Sequence, residues 1–142
     1  SCLELYDRDA AVAYARQYAL SFNSQYANYA NSGGDWMNFV SQCLHAGGMP
    51  IKQQGFLWYG ARSGSSASWK VVDDFLAYIR KSFGSPRLMF ECYATPENLK
   101  RGDIVFTVAK GTAGDISRNP SHIVISVSYT HLRAHETGAY LV

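Results

Sequence analysis

The stretch GGDWMNFVSQCLHAGG, residues 33–48, constrains the fold more than any other part of the chain. Glycine pairs bracket it on both sides and Pro50 follows, so the spacing predicts a helix that starts near Trp36 and stops at Gly47-Gly48. Asp35 stands where a helix cap belongs. Phe39, Val40, Cys43 and Leu44 spread apolar surface around much of the helix, which marks it as central and buried rather than a surface element.

The other elements are arranged around that helix. An earlier helix is expected from YDRDAAV onward, with Asp7 as N-cap, Asp9 in the first turn, and Val12, Ala15, Ala19 and Phe22 on one face. Asn23, Asn28, Asn31 and the Ser32-Gly33-Gly34 turn end it. Residues 51–68, rich in Gly and Ser and carrying Trp58 and Tyr59, read as a long functional loop. Ser68 is expected to cap a further helix with Val71, Val72, Phe75, Leu76 and Ile79 as its stripe, closed by Gly84 and Pro86. The runs LMFECY, DIVFTVA and HIVISV then read as strands, with Arg101-Gly102-Asp103 as a turn. Helices first and strands second predict an α+β domain, with the helices on one side of a mainly antiparallel sheet.

The 142 residues suffice for one domain with a real core. A net charge of +2 without a Lys/Arg cluster argues against a nucleic-acid partner. No apolar run reaches the length of a membrane span. Cys2, Cys43 and Cys92 have no metal-ligand spacing and no disulfide framework, so each is expected as a free or buried thiol.

Three features in chain order carry chemistry. A glycine turn and Asp35 lead into a buried helix at position 36. The turn LKRGD launches the strand IVFTV, and His122 opens the later strand in PSHIVIS. A cysteine hydrolase needs this arrangement of parts. A thiol in a first helical turn feels the helix dipole, which favours the thiolate. Backbone N–H groups there can stabilise an oxyanion, and an imidazole on a neighbouring strand completes the nucleophile–base pair.

Residues 6–125 resemble a bacterial amidase domain family related to the NlpC-type and CHAP cell-wall cysteine peptidases. The resemblance rests on YDRDAAVAYARQYALSFNSQY, GGDWMNFVSQCLHAGGMP, WYGARSGSSASWKVVDDF, LKRGDIVF and SHIVI. It implies a papain-like (NlpC-type) α+β core acting on amide bonds in a peptide or peptidoglycan-like substrate, with no metal or organic cofactor. It also suggests a secreted or cell-envelope setting in bacteria. In the family pattern Gly-Gly-Asp-Cys-x-Asn-Phe-Val-Ser-Gln-Cys, the residues Gly33, Gly34, Asp35 and Asn38 to Cys43 match. Trp36 occupies the nucleophile position, and His122 matches the general base. The family's third polar residue lies on a strand after the histidine strand, and no residue here is assigned to it.

Three readings of Trp36 stand. One base change turns a cysteine codon into a tryptophan codon, so the letter can be an error or a rare variant. Alternatively the domain is a natural pseudoenzyme that uses the old cleft for binding, or it belongs to a different family. Indole N–H only donates a hydrogen bond and cannot attack a carbonyl, so the chain as written lacks the nucleophile. Cys43 lies two turns further on, about 10 Å at the helical rise, and reads as core. His45 reads as a partner of the helix C-terminus. Asp35 is a cap beside the site, Asn38 and Gln42 are either cleft or structural amides, and Trp58, Tyr59 and Trp69 are candidate groove residues of which at least one is core.

The segment from Val127 to Thr137, VSYTHLRAHET, resembles one reading frame of a transposase-type sequencing adapter, and Tyr140 to Val142 resemble its next constant part. Residues 1–126 are therefore expected to form the amidase-like domain, cut short at its C-terminus, and 127–142 a non-native tail. His131 and His135 are accordingly left out of the site.

Overall fold

The computed structural model of the chain describes residues 6–32, 35–83, 97, 99–108 and 120–127. Its elements, in order, are α1 (Arg8–Tyr18), a 3-10 turn (Ala30–Ser32), α2 (Trp36–Ala46), β1 (Gly60–Ala61), β2 (Gly64–Ser65), α3 (Ala67–Lys70), α4 (Val72–Phe83), β3 (Ile104–Val108) and β4 (Pro120–Ile125). The expected α+β class holds, but the order is not helices first and strands second: the short β1–β2 hairpin lies between α2 and α3, and only β3 and β4 follow the helices. The strand expected at LMFECY lies outside the described residues, as do the Gly33-Gly34 turn, Gly84 and Pro86.

Asp7 caps α1 as expected, its Oδ1 accepting from the Ala10 amide at 3.0 Å. The helix ends at Tyr18, earlier than the apolar spacing suggested. Ala11, Val12 and Ala15 are buried, whereas Phe22 lies beyond the helix and is half exposed. The asparagines take over there. Asn23 Oδ1 accepts from the Gln25 amide and Asn28 Oδ1 from the Ala30 amide, local turns that compete with helical bonding.

The helix after the loop departs from expectation. It is split at Val71, whose extended backbone (φ −121°, ψ 125°) separates α3 from α4. Ser66 rather than Ser68 takes the N-cap position, and Val71 is exposed. Ser68 is instead buried, donating to the Leu57 carbonyl at 2.5 Å. The expected cap Ser68 and the observed N-cap residue Ser66 both turn their hydroxyls toward the preceding loop, and the chain needs a second start at Val72, where Asp73 and Asp74 suit a first helical turn.

Strands β3 and β4 pair antiparallel, with Ile104 opposite Ile125 and Thr107 opposite His122, and the register shifts between Thr107 and Val108. α2 packs on α1, α3 and β4, which puts it at the centre of the domain. Met37, Val40 and Leu44 meet Trp58, Trp69, Phe75, Leu76, Ile79 and Ile123 in the main core. Cys43 fills a second cluster with Ala11, Ala15 and Ile125. Burying each such side chain contributes about 1.5–3 kcal/mol, so this helix is the principal organiser of the fold.

Three long-range ties join segments that the sequence keeps far apart. Tyr6 donates its hydroxyl to the Gly102 carbonyl at 2.5 Å. Arg8 Nη1 pairs with Asp103 Oδ1 at 2.6 Å, and Arg101 Nη1 with Asp9 Oδ1 at 2.5 Å. The turn LKRGD is therefore built against the start of α1. Gly102 has φ +88°, and a Cβ there would lie 3.0 Å from Arg8 Cβ, so the turn requires glycine.

Candidate functional site at the start of the central helix

Asp35 stands in the N-cap position of α2, but its side chain makes no bond to the helix amides. Its Oδ1 accepts from Asn38 Nδ2 at 2.8 Å and from the Tyr29 amide at 3.2 Å. The carboxylate therefore ties the preceding loop to the helix instead of covering the first-turn N–H groups. Trp36 follows it in that first turn with 52% of its surface exposed.

Behind this turn runs a continuous polar chain. Asn38 is 1% exposed, and its Nδ2 donates both to Asp35 and to the Ala27 carbonyl at 3.0 Å. Its Oδ1 accepts from Gln42 Nε2 at 3.1 Å and from the Trp69 indole N–H at 2.8 Å. Gln42 Oε1 in turn accepts from the Tyr14 hydroxyl at 2.6 Å, which itself accepts from Asn23 Nδ2 at 2.9 Å. Residues 35, 38 and 42 share one helix face, as their spacing requires. They fasten the loop of residues 23–32 and α1 to α2. Such a network rigidifies when every member is satisfied, as Asn38 is here.

The sequence-level candidates separate on this geometry. Asn38 has all its hydrogen-bonding capacity engaged inside the protein, so it is a strut and not a substrate contact. Trp58 and Trp69 are both buried, with ring centroids 4.6 Å apart, and neither lines a groove. Their apolar area and stacking neighbours explain this: Tyr26 stacks on Trp69 at 5.6 Å and Tyr78 on Trp58 at 6.3 Å. Gly60 admits the Trp69 ring against its Cα, where any Cβ would collide with the indole. Tyr59 is part-buried, its amide donating to Ser66 Oγ at 3.0 Å.

Cys43 is 0% exposed, and burial pushes its thiol up from the ordinary 9.0 to about 12. That is the environment of an inert core thiol. His45 contacts the Met49 carbonyl through Nδ1 at 2.8 Å and packs beside both core indoles. His122 lies on β4, paired through the backbone with Thr107, on the strand that packs against α2; its imidazole lies outside the described side chains.

Four further residues near the start of α2 carry no signal in the sequence. Tyr29, besides its amide bond to Asp35, donates its hydroxyl to Ser65 Oγ at 3.1 Å. Lys70 holds its ammonium 4.8 Å from the Tyr29 ring centroid. The Ala27 amide donates to the Ala61 carbonyl at 3.0 Å, and Arg62 Nε to the Ser24 carbonyl at 2.9 Å. The β1–β2 hairpin and the loop before α2 are thus tied together, and Tyr29 joins both to Asp35 at the start of α2. No motif spacing signals this pairing, because it joins a tyrosine and a serine 36 residues apart.

Among the described residues, no group of three His, Cys, Asp or Glu side chains is placed to hold a metal ion. No described helix is long and apolar enough to cross a membrane.

Comparison with known proteins places the chain in a family. Residues 5–137 match the family described as "Putative amidase domain", a span that runs into the adapter-like segment. Two proteins of Bacillus subtilis (strain 168) are similar. The uncharacterized protein YhbB is 34% identical over 103 residues, 70% of this chain and 32% of that protein. The uncharacterized protein YjcM is 35% identical over 99 residues, 70% of this chain and 22% of that protein. The chain thus spans a third or less of the length of these relatives. No solved structure matches it. With nearly its whole length matched, the chain belongs to the Putative amidase domain family.

Proposed function

We propose that this domain descends from a papain-like cysteine hydrolase of amide bonds, with position 36 as the nucleophile position and His122 as the general base. The observation that carries the reading is the division of labour at the start of α2. Asp35 turns its carboxylate to Asn38 and Tyr29 and leaves the first-turn amides uncovered by it, while residue 36 projects half exposed. A thiol at position 36 would sit where the helix dipole favours thiolate and where backbone N–H groups can meet an oxyanion. His122 would accept the thiol proton and return it to the leaving amine, and water would release the acyl group. With Trp36 the chain has no such nucleophile and is inactive in this chemistry. Peptides, including those of peptidoglycan, are the proposed substrates.

The test is Trp36→Cys, assayed on peptidoglycan fragments and on peptide anilides. The expected result is hydrolysis that iodoacetamide blocks and that a further His122→Ala substitution abolishes. A folded Trp36→Cys protein without activity would overturn the reading. Saturable peptide or glycan binding by the Trp36 form would then favour the second reading, a binding module, which the exposed Trp36 indole supports. We further propose that residues 127–142 derive from adapter DNA. Resequencing the source across Ile125 tests this, and an uninterrupted natural reading frame there would refute it.

A further inference from the structure

A groove of about 330 Å³ opens on the face of the domain formed by α4, the loop at Gly55–Leu57 and the start of α3. Asp74, Ala77, Tyr78 and Lys81 form its floor, spaced three, four and seven residues along α4 and so aligned on one stripe of the helix. The small Ala77 leaves room at the middle of that floor. Phe56 and Leu57, 59% and 42% exposed, form an apolar side wall.

The polar groups of the groove divide sharply. Ser66 Oγ is bonded to Tyr59 and to Ser68 Oγ, and Ser68 Oγ donates to the Leu57 carbonyl. The Tyr78 hydroxyl is engaged with Ser82. Polar recognition is therefore left to the two charged residues at opposite ends of the stripe. Neither Asp74 nor Lys81 has an ion-pair partner among the described residues. The Lys81 ammonium is held 5.6 Å from the Phe56 ring centroid, at the apolar wall. Seven residues of helix set the two charges about 10 Å apart.

From this complementarity we infer that the groove binds a short peptide with free termini, its ammonium at Asp74 and its carboxylate at Lys81. An extended tripeptide spans about 10 Å at roughly 3.3 Å per residue, which matches the separation. Small side chains fit over Ala77, and the apolar wall covers one flank of the peptide. A single charge or a plain apolar ligand would leave one end of the stripe unanswered. The site is distinct from the position-36 chemistry and requires no hydrolysis.

The experiment is calorimetric titration of the Trp36 form with trialanine, with its N-acetylated and C-amidated forms, and with the doubly blocked peptide. Blocking either end is expected to weaken binding about tenfold, the scale of one lost charge-assisted hydrogen bond. Asp74→Asn should abolish the effect of acetylation while preserving that of amidation, and Lys81→Gln should do the reverse. Both side chains are exposed, so these variants should keep the fold, which circular dichroism checks. Equal binding of free and doubly blocked trialanine, no binding at millimolar concentration, or an end preference indifferent to both variants would overturn the assignment. A failure of Trp36→Cys to hydrolyse amides would leave it intact.

Discussion

The Trp69 indole N–H donates to Asn38 Oδ1 at 2.8 Å, and both side chains are buried. The motif amide beside position 36 and one of the loop tryptophans thus recognise each other, not a substrate. Trp58 differs from its neighbour in that its indole N–H finds no protein acceptor. Trp69→Phe should therefore destabilise the domain by about 1–2 kcal/mol more than Trp58→Phe, since only the first leaves a buried acceptor short of a donor. Urea denaturation of the two variants measures the difference.

Asn38→Ala removes the hub of the same network. It should cost about 2–4 kcal/mol, because the Trp69 N–H, the Ala27 carbonyl and Asp35 all lose a partner in a buried setting. Asn38→Asp should not rescue it, since a carboxylate cannot donate to Ala27 or Asp35. A variant that unfolds at the parent's urea midpoint would refute the role.

Alkaline pH should weaken the fold. Burial raises the Cys43 thiol from 9.0 to about 12 and also raises the hydroxyls of Tyr6 and Tyr14. Above pH 9 the unfolded thiol releases its proton while the folded one retains it. The folded state then binds more protons, so stability falls as pH rises from about 9 toward 12. Cys43→Ala should flatten that slope in pH-dependent thermal melts. Native Cys43 should also resist thiol reagents at pH 8 and react only on unfolding.

Gly102→Ala should be more damaging than Arg8→Ala. The first forces a side chain into φ +88° against Arg8, at about 1–3 kcal/mol. The second removes an ion pair to Asp103 whose partners are 45% and 29% exposed, about 0–1 kcal/mol. Chemical denaturation of the pair gives the order.

Of the three tryptophans, Trp36 is half exposed, whereas Trp58 and Trp69 are fully buried. Iodide should quench a single emission component, and that component should vanish in Trp36→Phe with little change in stability. Quenching of two components would place another indole at the surface.

The sequence by itself determined the central helix, its start at Trp36 and its stop at Gly47, the Asp7 cap, and the α+β class. These follow from local chemistry: periodicity, capping and the freedom of glycine act within a few residues. It also marked position 36, because a motif fixes which residue opens a helix. Only the tertiary structure decided which polar and aromatic residues remain available to a ligand. Asn38 and Trp69 carry groups that could meet either solvent or each other, and packing of α3 on α2 settled that in favour of each other. The same holds for the break at Val71, where a continuous apolar stripe gave no warning. There Ser66 and Ser68 are bonded to loop partners that no local pattern could name.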